Sequence, residues 1–199
     1  METIRGKTSL AMDSNELHAR LTNYNRLTLD LGTGDGKFAL CHAQTFPGHF
    51  VIGVDSCREN LHEHSRMNLP NLLYVIASAQ SLPPELSGLV SGVTINFPWG
   101  SLLGSLLKGD PQLINGLETV LSPSASLDVR LNGGALAEQG WLLEDGIECI
   151  RENLTCAGWR VGRPIRMDSR ALRNFPSTWA KRLAFGRDPR AIQLSGCLE

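Results

Sequence analysis

The chain has 199 residues, of which 42% are hydrophobic and 20% are charged, and its formal net charge is −1. This length fits one domain with a full-sized core, and the composition is that of an ordinary globular protein. No apolar run approaches the roughly 20 residues that cross a bilayer, and the first residues lack the apolar core of a signal peptide, so we expect a cytoplasmic protein without a membrane partner.

The cysteines give information about the compartment and about metals. Five of them are scattered along the chain, and no two have Cys-x-x-Cys spacing. An odd, scattered set argues against a disulfide framework and against a zinc site. We therefore expect reduced thiols, no bound metal and, as the simplest oligomeric state, a monomer.

Short apolar runs alternate with segments of helical spacing. Runs rich in β-branched residues predict strands at 27–31, 50–55, 72–77, 93–97, 126–131 and 190–196, with a further strand near 159–164. Helical spacing occupies 37–46, 57–66, 101–121 and 138–157. Strands that alternate with helices predict an α/β fold, a doubly wound and mostly parallel sheet of seven strands with helices on both faces.

Residues 165–189 interrupt this alternation with a long, arginine-rich and aromatic connection. A connection of this length in a compact domain is typically functional or disordered. Residues 160–199 carry 9 Lys or Arg against 3 acids, whereas residues 1–100 carry 7 against 9. Such an asymmetry is typical of a nucleic-acid-binding face, and a solvated basic surface without a partner is the alternative.

A glycine-rich loop, "LTLDLGTGDGKFAL" at residues 27–40, joins the first strong strand to a helix. Its spacing is GxGxG, whereas the dinucleotide fingerprint is GxGxxG. Asp35 lies where the helix N-terminus would meet a pyrophosphate. An acid at that point favours a cofactor with positive charge and no phosphate, and S-adenosylmethionine fits this description.

Two acids and a run of small residues complete the predicted cofactor site. Asp30 is placed to meet an ammonium group, and Asp55, which closes the second strand, offers two acceptor oxygens to a ribose. A glycine turn that only packs the helix on the sheet, an NAD site, and an Asp55 that caps the next helix stay open as alternatives. The predicted cofactor-binding residues are Asp30, Gly32, Thr33, Gly34, Asp55, Ser56, Ala77, Ser78, Ala79 and Asn96.

The fourth strand ends in the sequence Asn-Phe-Pro-Trp-Gly at residues 96–100. It resembles the Asn-Pro-Pro-aromatic signature of methyltransferases that act on amino nitrogens of bases, with Phe97 in place of the first proline. Trp179, inside the long connection, is a candidate for the opposite face of an extruded base, because such enzymes stack the base on aromatic side chains. A buried turn with a packing Trp99, and a Trp179 that anchors its own loop, are the alternatives.

Five segments together resemble the 16S rRNA (adenine-1408 N1) methyltransferases, the kanamycin–apramycin resistance family: "DLGTGDGK", "VIGVD", "VIASAQSLPPEL", "INFPWGSLL" and "STWAKRLAFGR". The resemblance spans most of the chain. It implies a class I, Rossmann-like methyltransferase fold in one domain, 1–199, with an N-terminal hairpin and helix extension at 1–25 and a substrate-binding insertion at 165–189. The implied reaction is S-adenosylmethionine-dependent methylation of N1 of adenine 1408 in the 30S subunit, which confers aminoglycoside resistance.

The resemblance also implies roles for individual residues. Trp99 and Trp179 would sandwich the flipped adenine, and Ser177 would position the loop or the base. Phe97 and Pro98 would shape the pocket floor. The residues implied as contacts of the 16S rRNA are Arg66, Lys181, Arg182 and Arg187.

One segment departs from the family pattern. Residues 62–71, "HEHSRMNLPN", replace a longer basic segment and keep only Arg66 as a firm positive charge. Each lost phosphate contact weakens RNA binding in a salt-dependent way. A methyltransferase for small molecules or another RNA, and a weakly active or inactive RNA-binding homologue, therefore remain alternatives.

Overall fold

One sheet runs through the protein, whose computed structural model describes residues 1–186 and 189–198. The strands found there are β1 (Glu2–Arg5), β2 (Thr8–Ala11), β3 (Arg26–Leu31), β4 (His49–Asp55), β5 (Leu72–Ile76), β6 (Val90–Asn96), β7 (Leu121–Asn132), β8 (Trp159–Val161), β9 (Ile165–Met167) and β10 (Ala191–Leu198). The α-helices in the same ranges are α1 (Ser14–Leu21), α2 (Lys37–Thr45), α3 (Gly100–Lys108), α4 (Pro111–Val120), α5 (Gly133–Glu138), α6 (Leu143–Cys156), α7 (Ser169–Asn174) and α8 (Thr178–Phe185).

The strand order is β2-β1-β5-β4-β3-β6-β7-β10-β8, and β9 also pairs with β10. The strands from β5 to β7 pair in parallel, and β10 is antiparallel to its neighbours β7, β8 and β9. The N-terminal hairpin β1–β2 joins the sheet through an antiparallel contact with β5. The predicted doubly wound, mostly parallel sheet is confirmed, and the hairpin and β9 extend its seven strands.

Alternate residues of the central strands face two different cores. Phe50 and Ile52 of β4 belong to the larger core, which α1, α3, α4, α5 and α6 cover. Val51 belongs to the core on the other side, which includes residues of α2. Phe38 of α2 stacks on Phe175, which joins α7 to α8, so these helices lie next to α2. The pattern of alternation places helices on both faces of the sheet.

The predicted helix at 101–121 is two helices. Gly109, with φ of 60°, ends α3 in the left-handed conformation. Asp110 then accepts a hydrogen bond from the Gln112 amide at 3.0 Å, and Pro111 occupies the first turn of α4. A left-handed glycine, an acidic N-cap and a proline form a complete stop and start signal, which the apolar periodicity of the whole segment concealed.

Two other helical segments also differ from the prediction. Residues 57–66 form two short 3₁₀ helices, Arg58–His62 and His64–Arg66, instead of an α-helix. The segment 138–157 begins its helix only at Leu143, because Gly140 adopts a φ of 80°. A left-handed residue interrupts the helical hydrogen-bond ladder, so the helix starts after it.

The connection at 165–189 is ordered where the structure describes it. It contains β9, α7 and α8, and Asp168 caps α7 by accepting from the Ala171 amide at 2.7 Å. Leu172 and Ala180 are fully buried in a small core with Phe97. No helix of the described residues is long and apolar enough to pass through a bilayer.

Gly36 begins α2 in a conformation that only glycine adopts readily. Its φ is 79°, and a Cβ there would lie 2.4 Å from Cε1 of the buried Tyr74 ring. The Tyr74 hydroxyl also donates to the Gly36 carbonyl oxygen at 2.7 Å. The third glycine of the loop therefore permits close packing of the loop on β5.

We expect Gly36→Ala to lower the free energy of unfolding by about 2–5 kcal/mol, because left-handed strain and a clash with a buried ring add together. Gly88→Ala is the matched control: Gly88 has a φ of 69°, and its Cβ would meet no atom within 4 Å. Gly88→Ala should lower the free energy of unfolding by only about 1–2 kcal/mol, the cost of the left-handed strain alone. Urea unfolding compares them, and equal losses would show that the Tyr74 contact is unimportant.

Candidate active site

A cavity of about 420 Å³ lies where the central parallel strands end. Its walls include residues at or just after the ends of β3, β4, β5 and β6, such as Leu31, Asp55, Ala77 and Asn96. The volume falls in the range of about 300–1,000 Å³ that small-ligand sites occupy. The carboxyl edge of a doubly wound sheet is where such folds bind their ligands.

The glycine loop exposes its backbone to this cavity. Gly34 has a φ of 58°, and nothing lies within 4 Å of the position that its Cβ would occupy. The Gly34 amide donates to Asp55 Oδ2 at 2.8 Å, and the Cys57 amide donates to Asp55 Oδ1 at 2.8 Å. Asp55 thus joins the loop to the turn after β4 and retains acceptor capacity towards the cavity. The 3₁₀ helix that follows has no side-chain cap.

The charges around the cavity fit a cofactor without phosphates. No Lys or Arg is among the residues described as lining it. Asp35 occupies the start of α2, where its Oδ1 accepts from the Lys37 amide at 3.1 Å and its Oδ2 accepts from Thr178 Oγ1 at 2.6 Å. An anionic group at this helix N-terminus would meet a carboxylate, whereas a sulfonium and an ammonium are compatible with it.

Asp30 lies behind the cavity wall and is fully buried. The Thr33 hydroxyl donates to its Oδ2, and the Thr94 hydroxyl and the Asn96 amide both donate to its Oδ1 at 2.9 Å. Burial raises the pKa of the Asp30 carboxyl to about 6, against these hydrogen bonds and the nearby charge of Arg130, which lower it. An ionised Asp30 is therefore a negative charge that a cation at the cavity stabilises.

The turn after β6 is strained. Phe97 has a φ of 53°, which is unusual for a residue with a side chain, and its amide donates to the Arg130 carbonyl oxygen at 2.7 Å. The Phe97 ring is buried and meets Phe175 edge-on at 5.7 Å. This conformation brings Trp99 to the N-cap position of α3, at the cavity. Strain that persists at such a place is typical of functional sites.

Two indoles meet at the cavity. The ring centres of Trp99 and Trp179 are 5.4 Å apart, with 30° between the ring planes. Trp179 lies on α8 and is 40% exposed, and Arg182 stacks over it with Cζ 5.1 Å from the ring centre. Trp99 Nε1 is buried and has no hydrogen-bond partner among the described residues.

Most of the predicted site residues lie together. Those that line the cavity are Gly32, Gly34, Asp55, Ser56, Ala77, Ser78, Ala79, Asn96, Phe97, Pro98, Trp99 and Trp179. Asp30, Thr33 and Ser177 are buried and do not line it, and Ser177 is the N-cap residue of α8. Arg66, Lys181 and Arg182 are exposed, and Arg187 lies outside the described residues.

Some residues of the site were not predicted. The cavity also includes Cys57 and Asn60, which stand in no recognisable motif, and Gln80, which lies in the segment "VIASAQSLPPEL" but was given no role. The sequence gives a weak indication of Arg130, because it is a cation inside an apolar strand. A buried cation needs a polar partner, so such a residue is a candidate for a buried polar contact.

The strand order, the glycine loop and the acid at the end of β4 define a Rossmann-like methyltransferase. A family model for NpmA, described as 16S rRNA (adenine(1408)-N(1))-methyltransferase, matches residues 2–198. The chain therefore belongs to this family, and S-adenosylmethionine is its cofactor.

Individual relatives agree with the family model over nearly their whole lengths. A protein from Escherichia coli with the same description is 29% identical over 217 residues and covers 98% of each chain. A counterpart from Streptoalloteichus hindustanus is 31% identical over 204 residues and covers 94% of each chain. The crystal structure of the 16S rRNA methyltransferase KamB has a TM-score of 0.90 at 29% identity and covers 100% of both chains.

We expect Asp55→Ala to weaken S-adenosylmethionine binding by about 1–3 kcal/mol, because loop and ligand donors lose their acceptor. Asp13→Ala is the matched control, since Asp13 also accepts from a backbone amide, that of Glu16 at 2.9 Å, but belongs to α1. Calorimetric titration measures both affinities. Equal affinities for the two variants would exclude Asp55 from the cofactor site.

The raised pKa of Asp30 predicts a pH dependence of cofactor binding. A bound cation favours the ionised carboxylate, so protonation of Asp30 must oppose binding, and affinity should fall as pH decreases through about 6. The limiting slope is about tenfold per pH unit, and the cofactor ammonium stays protonated below pH 7. The charge of Arg130 lowers the pKa of the Asp30 carboxyl, whereas burial and the Asp30 charge raise the pKa of the Tyr74 hydroxyl, which stays neutral in this range.

Calorimetric titrations between pH 5 and pH 7 measure this dependence. Asp30→Asn should bind weakly at every pH and lose the slope, because the titrating group is gone. A wild-type affinity that stays constant across the range would contradict a role for the Asp30 charge.

Proposed function

We propose that this protein transfers a methyl group from S-adenosylmethionine to N1 of adenine 1408 of 16S rRNA in the 30S subunit. The observation that carries the proposal is the pair of indoles, Trp99 and Trp179, beside the cofactor cavity. Relatives described as 16S rRNA (adenine(1408)-N(1))-methyltransferases, at about 30% identity over nearly the full chain, support the choice of substrate. The expected biological effect is resistance to aminoglycosides.

The indoles would hold a flipped adenine between them. A ring that contacts two others face to face needs about 7 Å between the outer rings, twice a carbon–carbon contact of about 3.5 Å. The observed 5.4 Å is too short, so the indoles must separate before a base can enter. Trp99 is partly buried against the main core, whereas Trp179 is 40% exposed on α8. We therefore expect Trp179 to move.

The chemistry requires little from the protein beyond position and charge. Bound S-adenosylmethionine supplies an electrophilic methyl group. Adenine N1 is neutral with an in-plane lone pair at pH 7, so no general base is required, and no His is among the residues described at the cavity. The product ring is a cation, and facing indoles favour a cation by roughly 0.5–2 kcal/mol. Trp99 and Trp179 thus orient the base and stabilise its developing charge.

The surface around α8 suits an RNA backbone. Lys181 and Arg182 are exposed on this helix, on the same element as Trp179. Arg66 is exposed beside the N-terminal hairpin, where its Cγ lies 3.4 Å from the position of a Gly6 Cβ. Residues 165–189 are the proposed substrate-binding insertion of a single domain that works as a cytoplasmic monomer. Because residues 62–71 carry few cations, 30S binding should be weaker and should depend less steeply on salt than binding through a longer basic segment.

The substrate is tested with labelled S-adenosylmethionine and 30S subunits, 50S subunits, tRNA and small nitrogen acceptors. Label should enter 30S subunits alone, and reverse transcription should stop at adenine 1408, because an N1 methyl group blocks the Watson–Crick edge. Transfer to small acceptors would identify a small-molecule enzyme. 30S binding without transfer would identify an inactive homologue. Expression should also raise bacterial tolerance of aminoglycosides.

We expect Trp99→Ala and Trp179→Ala each to reduce methyl transfer to 30S subunits by about 10–100-fold, the effect of losing one stacking contact of about 1–3 kcal/mol. Cofactor affinity, measured by calorimetry, should stay within a few-fold of wild type. Trp179→Phe is the control, because it retains an aromatic face and should keep most of the activity. Near-normal transfer by both alanine variants would refute the sandwich.

A further inference from the structure

The side chain of Arg130 contacts both the cofactor side and the substrate side of the site. Arg130 lies on β7, opposite Asn96 in the register of β6 and β7. Its Nη1 donates to Asn96 Oδ1 at 2.9 Å. Its Cζ lies 4.6 Å from the centre of the Phe175 ring, which belongs to the insertion. One guanidinium therefore touches a residue of the cofactor cavity and a residue that precedes the Trp179 helix.

The contact with Asn96 fixes the orientation of the amide. A guanidinium has donors only, so Asn96 must turn its oxygen towards Arg130. Its nitrogen then faces Asp30 Oδ1, to which it donates at 2.9 Å. The ionised Asp30 only accepts, so it requires the same orientation, and without Arg130 the amide is held by Asp30 alone. The two hydrogen bonds therefore run in one direction: Arg130 donates to Asn96, and Asn96 donates to Asp30.

The contact with Phe175 holds the insertion. Phe175 stacks on Phe38 of α2 at 5.2 Å, with 8° between the rings, and meets Phe97 edge-on. The guanidinium provides a third contact, over a face of the ring, and such cation–π pairs are favourable. Phe175 lies only three residues before the start of α8, so its position determines where the first turn of α8, which carries Trp179, lies relative to the cavity.

Burying the charge of Arg130 is costly. Burial lowers the pKa of the Arg130 guanidinium, against the charges of Asp128 and Asp30, which raise it. Its Nε is buried and has no hydrogen-bond partner in the described part of the chain. An apolar side chain of similar length would fill such a place without the desolvation penalty. The polar interactions that offset this penalty include the hydrogen bond to Asn96 and the charge of Asp30, both at the cofactor site.

We propose that Arg130 is a positioning residue for methyl transfer, which orients Asn96 and Asp30 at the cofactor site and holds Phe175 so that Trp179 reaches the base. The first half concerns cofactor binding alone. The second half rests on the proposed function, because it concerns the base between the indoles.

The first test measures cofactor binding by Arg130→Met, a variant of similar length without charge or donors. We expect affinity for S-adenosylmethionine to fall about tenfold at pH 7.5, because Asn96 loses one of its two side-chain hydrogen bonds and Asp30 loses a neighbouring cation. The pH below which affinity declines should rise by about one unit from its wild-type value, because an opposite charge near Asp30 has been removed. Arg130→Lys, which keeps the charge, should restore the wild-type pH midpoint.

Two controls separate position from folding. Arg151→Met removes an arginine of α6 that pairs with Glu148, so it should leave affinity and pH midpoint unchanged. Far-ultraviolet circular dichroism and urea unfolding establish that each variant is folded at the temperature of the titration. A loss of general stability does not move the pH midpoint, so the midpoint distinguishes positioning from structural support.

The second test measures single-turnover methyl transfer to 30S subunits at saturating cofactor. Phe175→Leu should keep cofactor affinity and lose about tenfold in rate, the effect of misplacing a substrate group. Arg130→Met should lose both, and the double variant should be less impaired in rate than the product of the single effects, because the two residues act through one contact.

A wild-type affinity and pH midpoint for Arg130→Met would overturn the proposal, and so would an unchanged transfer rate at saturating cofactor. If the wild-type protein itself transfers no methyl group to 30S subunits, the proposed substrate is wrong. The cofactor titrations still decide the first half of the inference in that case.

Discussion

The structure of this site depends on keeping one buried carboxylate, Asp30, charged beneath a cofactor cavity. A buried carboxylate is unfavourable unless donors surround it. Here the donors come from the glycine loop and from β6, and a cation comes from β7. Because these groups belong to three different segments, satisfying one charge requires the segments to be in register. The carboxylate also leaves a negative potential at the cavity, which a sulfonium and an ammonium satisfy.

The substrate side is built on aromatic contacts, with arginines over two of the rings. Phe38 and Phe97 both pack against Phe175, which joins α2, the insertion and the strained turn. Thr178 adds a polar tie to Asp35 of the glycine loop. The two tryptophans differ in exposure: Trp99 is partly buried against the main core, whereas Trp179, in the first turn of α8, is 40% exposed. An arrangement with one face packed on the core and one face exposed suits the capture of a base that arrives from solvent.

The order of strands and the position of the glycine loop could be predicted from the sequence because both depend on local signals. The strand runs, the three glycines and the acid that closes β4 are all legible in order along the chain. The signals that end α3 and start α4 at Gly109–Pro111 are also present in the sequence. They were overlooked because the apolar periodicity of the two helices continues across them. Asp30 was identified, yet its position behind the wall was not, because burial depends on Thr94 and Asn96, far away in sequence.

The residues that sequence reasoning missed share a physical reason. Arg130 acts through Asn96 and Phe175, which lie 34 and 45 residues away, and nothing local to β7 specifies either partner. The separation of the indoles is likewise a property of packing and not of composition. Prediction from the sequence thus identified many of the cavity residues, whereas the contacts that orient them required the three-dimensional structure.

The most direct measurement is a structure of this protein on the 30S subunit with a non-reactive analogue of S-adenosylmethionine in the cavity. The account predicts adenine 1408 turned out of its helix, with N1 towards the cofactor, and Trp99 and Trp179 separated from 5.4 Å to about 7 Å around the ring. Indoles that remain in contact while the base lies elsewhere would contradict it.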